Sequence, residues 1–289
     1  MGTVWELDFY SRPILDENQK KLWEVLVCES PMTIDRSPDD LFRYAKYCTN
    51  SEVNSIWLGS ALQEAIAQAP SPPTTVRFFR RQMNNMIVKT CKDLGLEPVP
   101  SRRTIALWNW LRDRNETVYP QDPNFQAAAA QSPTVRYLAQ TPQRLPDAVE
   151  GKQWAIVTLE AAALQEMSEW EIDFSEAFPL ELANLEPTTP VPGLLVFSDR
   201  AFPLAAWMSG LEMAFLKFDP GIPPRLLLES GANNSWILAN LTDKTTQAEA
   251  QNLEDLKKQA DGVHFLAVQG DPDSESFNGF WLLKEGLGV

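Results

Sequence analysis

The sequence predicts an α/β domain followed by an α+β domain, and three observations support this fold class. The length of 289 residues is enough for two domains of about 150 residues each. In residues 1–115, the apolar periodicity gives three strand patterns and then alternating helix and strand patterns. A Pro- and Ala-rich segment with little periodicity, 116–151, precedes residues 152–289, where strand patterns predominate. We predict that 116–151 is a linker between the two domains.

The strands of the first domain are predicted from alternation. In residues 4–10, Trp5, Leu7 and Phe9 alternate with Glu6, Asp8 and Tyr10, which predicts a half-buried strand with one polar face. Further strands are predicted over residues 21–28, 41–48, 76–80 and 96–99.

The helices of the first domain are predicted over residues 57–69, 84–94 and 102–114. Three prolines from Pro70 to Pro73 stop the first helix, Gly95 ends the second, and Ser101 is placed to cap the third. The resulting order is strand, strand, strand, helix, strand, helix, strand, helix. This is the order of the ribonuclease-H-like fold, which we predict for residues 1–115 as a mixed sheet with helices.

The second domain is predicted to be a mixed arrangement of sheet and helix. Strand patterns occur at residues 153–159, 193–198, 212–218, 225–229, 235–241, 263–268 and 280–283, and helix patterns at 161–170 and 248–260. Residues 151–289 contain eight basic and 21 acidic side chains, a net charge of −13. Such a charge repels phosphate and suits a protein partner better than a nucleic acid.

A basic segment, residues 75–115, contrasts with the rest of the chain. It contains nine basic and three acidic side chains, a net charge of +6, whereas the remaining residues carry −20. The aromatic residues Phe78, Phe79, Trp108 and Trp110 are interleaved with these cations. Cations neutralise phosphates and flat rings stack on bases, so the segment predicts a surface for single-stranded nucleic acid. Solvated helix faces with no ligand are the alternative.

Helical geometry narrows this prediction. At 100° per residue, Arg81, Asn85, Lys89 and Lys92 fall within a sector of about 80°, opposite apolar Met83 and Ile87. The helix start predicted near Arg102 would add a dipole that attracts phosphate. The predicted RNA-binding residues are Arg77, Arg80, Arg81, Lys89, Lys92, Arg102 and Arg103, with Phe79 and Trp108 for stacking. We expect at least two of the rings of Phe78, Phe79 and Trp108 to lie in the core.

The sequence lacks the residues that most classes of enzyme need for catalysis. The single histidine, His264, lies in an apolar strand pattern, where a core residue is expected rather than a catalyst. The chain has no nucleophile-elbow, phosphate-loop or dinucleotide motif. Cys28, Cys48 and Cys91 are far apart, which predicts reduced, buried thiols rather than a disulfide or zinc site. We therefore predict a protein that is not an enzyme and has no cofactor or metal.

One enzyme class remains as an alternative. In the ribonuclease-H-like fold an aspartate on the first strand binds catalytic metal, and Asp8 occupies such a strand. Metal-dependent phosphoryl chemistry needs several converging carboxylates. The fourth predicted strand instead supplies Arg77 and Arg80. A structural role for Asp8 is therefore favoured over metal-dependent nuclease activity.

Several segments resemble one known family. They are WELDFYSRPILDENQKKLWEVLVCES near the N-terminus, VRFFRRQMNNMIVKTCKDLGLEPVPSRRT in the basic segment, and SDRAFPLAAWMSGLE, VHFLAVQ and FWLL in the second half. In this order they resemble the Tab family of RNA-binding translation factors of chloroplasts and cyanobacteria. The resemblance extends from Trp5 to Leu283 and is thinnest in the predicted linker.

The resemblance implies a role in photosystem I biogenesis. Members of the family bind A/U-rich leader RNA of a photosystem I reaction-centre messenger and promote its translation. Plastid members carry a transit peptide, whereas here a strand pattern begins within four residues of the N-terminus and no apolar run approaches a membrane span. We therefore expect a cyanobacterial cytoplasmic protein that can also lie at the periphery of thylakoid membranes, and whose acidic second domain meets translation or thylakoid assembly proteins. A photosystem assembly scaffold that binds protein rather than RNA is the remaining alternative.

Overall fold

The computed structural model describes residues 2–127, 140–146, 151 and 153–286. The chain divides into two compact units, Met1–Pro31 with Pro38–Arg136 and Met32–Ser37 with Tyr137–Gly288. Both units combine strands and helices, so the predicted mixed α/β class is confirmed. Residues 128–139 and 147–150 of the predicted linker, and residue 152 at the start of the predicted second domain, lie outside the described residues.

The first unit is built on a five-stranded sheet with the order β3-β2-β1-β4-β5. Its strands are β1 Thr3–Leu15, β2 Lys21–Glu29, β3 Arg43–Cys48, β4 Pro73–Phe78 and β5 Glu97–Pro100. Strand β2 is antiparallel to β1 and β3, whereas β4 is parallel to β1 and β5. Every predicted strand of this domain is present. Assignment of this sheet to the ribonuclease-H-like class stays a prediction.

In the described part of this unit, the sheet is accompanied by the helices α1 Ser55–Gln68, α2 Asn84–Asp93 and α3 Ile105–Asp113. Asn54 caps α1, since its side chain accepts hydrogen bonds from the backbone N–H groups of Ile56 and Trp57. Apolar residues of β1, such as Leu7, form one core with residues of α1 and α2, such as Leu58 and Ile87. The apolar face of β1 and the apolar faces of α1 and α2 therefore pack together in one core layer.

The second face of β1 is not a solvent face, contrary to the prediction of a half-buried strand. Glu6 and Asp8 are at most 1% exposed. The backbone N–H of Leu107, in α3, donates a hydrogen bond of 2.7 Å to a carboxylate oxygen of Glu6. Alternation reports which residues share a face, but it cannot report that a later helix covers that face.

Helix α3 begins later than predicted, and Ser101 is not its cap. The residue before its first turn is Thr104, whose side chain makes no capping hydrogen bond. The hydroxyl oxygen of Ser101 instead accepts from the backbone N–H of Arg103 at 3.0 Å, within the turn that follows β5. The preference of serine for turns as well as caps explains the error.

The described beginning of the predicted linker packs against the first unit. After α3 the chain forms a π-helical turn, Arg114–Val118, and then a 3-10 turn, Tyr119–Gln121. The side chain of Tyr119 is fully buried. The backbone N–H of Gln126 donates to the carbonyl oxygen of Pro13 at 2.9 Å, which returns this segment to β1.

The described residues of the second unit form two sheets. Its strands are β6 Gln143–Arg144, β7 Gln153–Glu160, β8 Ile172–Glu176, β9 Pro190–Phe197, β10 Met213–Asp219, β11 Arg225–Ser230, β12 Asn234–Asn240, β13 Val263–Gln269 and β14 Phe277–Lys284. They form a four-stranded sheet, β10-β11-β12-β6, and a five-stranded sheet, β7-β9-β13-β14-β8. The helices are α4 Ala161–Gln165, α5 Ala201–Ser209 and α6 Lys244–Gln259. Strands β6 and β8 were not predicted; β6 has only two residues and no residue of β8 is fully buried.

The lone histidine is a core residue, as predicted. The ring of His264 is fully buried, and its Nε2 accepts a hydrogen bond of 2.8 Å from the backbone N–H of Leu216. Its Nδ1 lies 2.8 Å from the carbonyl oxygen of Gly262. Both ring nitrogens are therefore engaged by backbone groups. Among the described residues, no helix has the length and apolar character needed to cross a membrane.

Candidate nucleic-acid interface

The carboxyl ends of β4 and β5 bring several predicted site residues to one edge of the sheet. Phe79, Arg80 and Arg81 follow directly after β4, and Arg102 follows β5, its parallel neighbour. In open α/β sheets, ligands bind outside the carboxyl ends of parallel strands. This edge is therefore the first place to look for a binding surface.

Two aromatic rings are stacked at this edge. The rings of Phe79 and Trp108 have centroids 4.7 Å apart, and both side chains are half-buried. The guanidinium carbon of Arg80 lies 5.0 Å from the centroid of the Phe79 ring and 4.0 Å from that of Tyr10. We call Tyr10, Phe79, Arg80 and Trp108 the Phe79 cluster. The expectation that at least two of the three rings are in the core was wrong, because only Phe78 is buried.

The arginine of the Phe79 cluster is held in place by a buried carboxylate. Arg80 Nε donates to Asp8 Oδ1 at 2.6 Å, and Arg12 Nη2 donates to Asp8 Oδ2 at 2.9 Å. Burial alone would raise the pKa of Asp8, but the charges of Arg80 and Arg12 outweigh it and hold the pKa below its ordinary value. Asp8 is therefore ionised, and it fixes both guanidinium groups.

These contacts bear on the nuclease alternative. Both carboxylate oxygens of Asp8 accept hydrogen bonds from arginine. The segment directly after β4 supplies Arg80 where a second metal-binding acid would be needed. No group of three or more potential metal-binding side chains occurs within the described part of the chain. The geometry gives Asp8 the hydrogen-bonding role that the arginines predicted for the fourth strand had favoured.

The ion pairs continue beneath α3. Arg12 Nε donates to Glu24 at 2.9 Å, and the hydroxyl of Tyr119 donates to the same carboxylate at 2.5 Å. Glu24 is also paired with Arg114. We call the series Arg80–Asp8–Arg12–Glu24–Arg114 the buried ion-pair chain.

The sequence prediction missed Arg12, Glu24 and Arg114 as parts of the site. Asp8 and Arg12 share a face of β1 because they are four residues apart, and Glu24 lies opposite Tyr10 on β2. Charged residues that recur on one face of β1 and its neighbour were the signal in the sequence that could have identified this part of the site.

Arg77 and Arg103 do not lie on the surface, although both were predicted to bind RNA. Each is 4% exposed. The positive charges of both arginines act to lower the pKa of buried Glu6. Glu6 accepts hydrogen bonds from the hydroxyl of Ser30 at 2.7 Å and from the backbone N–H of Leu107. Burial is the strongest influence on Glu6 and raises its pKa to about 7, although all four partners act to lower it.

The predicted phosphate site at the start of α3 is already filled. Leu107 is the third residue of α3, and its backbone N–H donates to Glu6. A carboxylate at this position takes the place that a phosphate would need. The N-terminal dipole of α3 therefore interacts with a buried carboxylate. The start of α3, Arg77 and Arg103 are accordingly not part of the candidate interface.

Helix α2 has the two faces that its sequence predicts. Ile87 and Thr90 are buried, whereas Lys89 and Lys92 are exposed. Lys89 Nζ contacts Asp93 at 2.5 Å in an exposed ion pair, with Lys89 61% exposed. At 1.5 Å per residue, Lys92 is roughly 12 Å along the helix from its first residue. These lysines thus extend along α2, away from the edge that holds the Phe79 cluster.

Comparison with known proteins supplies the family. The sequence-family model described as "RNA-binding protein Tab2/Atab2 N terminal" matches residues 4–114. A second family model, "RNA-binding protein Tab2/Atab2, C-terminal domain", matches residues 132–284. The chain is 40% identical over 289 residues to the chloroplastic protein TAB2 homolog of Zea mays, covering 97% of this chain and 71% of that protein. It is 39% identical over 287 residues to the chloroplastic TAB2 homolog of Arabidopsis thaliana, covering 96% and 74%.

Among solved structures, a complex described as a simian T-cell lymphotropic virus intasome with PP2A regulatory subunit B56 gamma matches with a TM-score of 0.29 and 10% identity. The match covers 55% of this chain and 63% of that one, and a likeness this low supports no conclusion. The two family models, in contrast, cover both units, and the identity to the plant relatives extends over nearly the whole chain. The chain therefore belongs to the Tab2/Atab2 family of RNA-binding proteins.

Proposed function

We propose that this protein binds single-stranded, A/U-rich RNA through its first unit and thereby promotes translation of a photosystem I reaction-centre messenger. The family description supports RNA as the ligand, and the chloroplastic relatives support a setting in photosynthesis. The messenger and the A/U preference rest on the resemblance to the Tab family. The observation that carries the proposal is the Phe79 cluster, where stacked, half-buried rings adjoin a fixed guanidinium group.

The Phe79 cluster suits unpaired bases. Bases stack on aromatic rings and on guanidinium planes, with about 1–3 kcal/mol per base. Arg80 is 18% exposed and is paired with Asp8. Because that pair already orders Arg80, less conformational entropy is lost when a base binds.

Cations around the cluster supply phosphate contacts. Arg81 and Arg102 lie at the same sheet edge, and Lys89 and Lys92 extend along α2. Each phosphate contact releases counterions, so the affinity falls with salt. The second unit, with its acidic surplus, is proposed to meet proteins of the translation or thylakoid assembly machinery. The proposed setting is the cyanobacterial cytoplasm beside the thylakoid membrane.

The direct test is fluorescence anisotropy with a labelled U-rich RNA and the variants Phe79→Ala and Trp108→Leu. Loss of one stacked base predicts about 5- to 100-fold weaker binding. The matched control is Trp170→Leu in the second unit, because Trp170 is also half-buried and also contacts aromatic rings, those of Phe277 and Phe280. Equal affinities for Phe79→Ala, Trp108→Leu and the control would refute the proposed site.

A second experiment separates the proposed function from its alternatives. Labelled RNA incubated with the protein and Mg²⁺ or Mn²⁺ should remain intact. Cleavage that depends on the metal and is lost in Asp8→Asn would establish the nuclease instead. If the wild-type protein binds no RNA at low salt, the assembly scaffold becomes the better account.

A further inference from the structure

A second group of rings and cations lies beside α3. The ring of Trp110 has the guanidinium carbon of Arg43 at 5.8 Å and that of Arg114 at 5.5 Å from its centroid. Tyr47, which is 38% exposed, contacts the same arginine through its hydroxyl oxygen, 3.2 Å from Arg114 Nη2. We call Arg43, Tyr47, Trp110 and Arg114 the Tyr47 cluster.

The position of this cluster follows from two periodicities. Residues 43, 45 and 47 of β3 are exposed, whereas Tyr44 and Cys48 are buried, so Arg43 and Tyr47 share the exposed face. On α3, Trp108 and Trp110 are two residues apart and project about 200° apart around the helix. One tryptophan therefore joins the Phe79 cluster and the other joins the Tyr47 cluster.

Arg114 of the Tyr47 cluster is paired with a buried carboxylate, as Arg80 is. Arg114 is 12% exposed, is paired with Glu24, and donates to the hydroxyl of Tyr119 at 3.3 Å. Arg114 and Arg80 are the two ends of the buried ion-pair chain. Each cluster thus contains one partly exposed guanidinium group that is held by an interior carboxylate, Asp8 for Arg80 and Glu24 for Arg114. Arg12 joins these two carboxylates.

The surface of α3 near both tryptophans is polar and cationic. Arg112 is exposed and donates to the side chain of Asn109 at 3.1 Å. Apart from the buried Arg103, residues 102–114 contain three arginines, Arg102, Arg112 and Arg114, and a single acid, Asp113. Alternating cations and rings match a polyanion with stackable bases better than they match an apolar protein surface.

From this arrangement we propose that the Tyr47 cluster is a second base-stacking site for the same RNA strand, which runs from the Phe79 cluster past α3 to Tyr47. This inference rests on the proposed function, because it assumes that single-stranded RNA is the ligand. The consequence is a dependence on RNA length. A strand long enough to reach both clusters gains affinity from the high effective concentration of its second half.

The test compares two probes by fluorescence anisotropy, a U-rich tetranucleotide and a U-rich RNA of about 15 nucleotides. Tyr47→Ala should weaken binding of the longer RNA about 5- to 100-fold and change binding of the tetranucleotide by at most about twofold. Tyr47→Phe keeps the ring and should retain affinity for the longer RNA. Phe202→Ala, which removes another exposed ring in the second unit, is the matched control.

The outcomes distinguish the inference from the proposed function. If Tyr47→Ala binds the longer RNA as the wild type does while Phe79→Ala is impaired, only the second stacking site is refuted. If neither RNA binds the wild-type protein at low salt, the proposed function itself fails.

A crosslinking measurement on the wild-type protein tests the second site without the use of variants that could misfold. Long RNA that contains 4-thiouridine should crosslink to peptides that carry Tyr47 or Trp110 as well as to the peptide that carries Phe79. Crosslinks confined to the Phe79 cluster would overturn the second site.

Discussion

At the scale of single residues, Asp8 shows how a charge can lie in the interior of the first unit. It is fully buried between Arg80 and Arg12, and each of its oxygens is within hydrogen-bonding distance of an arginine. Removing one member of a buried ion pair leaves its partner uncompensated. Asp8→Asn should therefore lower the free energy of unfolding by roughly 3–5 kcal/mol, measured by urea denaturation.

The control for this prediction is Asp93→Asn. Asp93 forms an ion pair of similar length with Lys89, but both side chains are about 60% exposed. Exposed pairs contribute little to stability because water and salt screen them. If both variants unfold at the same urea concentration as the wild type, Asp8 does not hold the two arginines together.

Glu6 predicts a pH dependence of stability. Burial raises its pKa from 4.5 to about 7, so the folded state holds a proton that the unfolded chain releases between these values. The stability that this proton provides is complete below pH 4.5 and is lost as the pH rises to about 7. At 1.36 kcal/mol per pKa unit, the contribution amounts to roughly 3 kcal/mol.

Glu6→Gln tests this prediction because glutamine keeps the shape of the protonated side chain and cannot ionise. Urea unfolding of both proteins at pH 5 and pH 8 should show a larger loss of stability with rising pH in the wild type than in Glu6→Gln. Identical pH profiles would mean that Glu6 remains charged beside Arg77 and Arg103.

At the scale of secondary structure, the exposed face of α2 predicts a salt effect. Lys89 and Lys92 are exposed on this face. If each contacts one phosphate, Lys89→Ala/Lys92→Ala should reduce the slope of log affinity against log salt by about 0.7 per lost contact. Anisotropy titrations of U-rich RNA at several salt concentrations measure this slope.

The matched control for α2 is Lys244→Ala/Lys258→Ala on α6. Both lysines are exposed, and Lys258 forms an exposed ion pair with Asp255, as Lys89 does with Asp93. The change in net charge is the same in both double variants. An equal change of slope would show that net charge, and not contact with α2, governs binding.

At the scale of the whole molecule, the net charge of −14 opposes general attraction to nucleic acid. Binding must then depend on local contacts, and the proposed contacts that distinguish a single strand from a duplex are stacked bases. Bases in a duplex are not available for stacking on side chains. A U-rich single strand should therefore bind at least about tenfold more tightly than its duplex with a complementary strand, as measured by competition anisotropy at one salt concentration. Equal affinities would favour a purely electrostatic surface.

Local patterns were sufficient for much of the first unit. The apolar stripe of α2 and the cap at Gly95, whose φ is +75°, involve residues close in sequence, and the structure contains both. The alternation in β1 located a strand correctly, although both faces of that strand are buried. The buried state of His264 and the family resemblance were also available from the sequence. Each of these features depends on neighbours within a few residues or on similarity along the chain.

The residues of the candidate interface could be identified only from the tertiary structure. Nine basic residues of one segment look alike in the sequence, yet the fold buries Arg77 and Arg103 against Glu6 and leaves Arg80 beside two stacked rings. The sheet order β3-β2-β1-β4-β5 places β1 and its acids next to Arg77 in β4 and Arg80 directly after it, and α3 then covers that face. Whether an arginine meets a carboxylate or solvent depends on strands about 70 residues apart in the chain, as in the pair of Asp8 and Arg80. Periodicity is local and carries no information about such a partner.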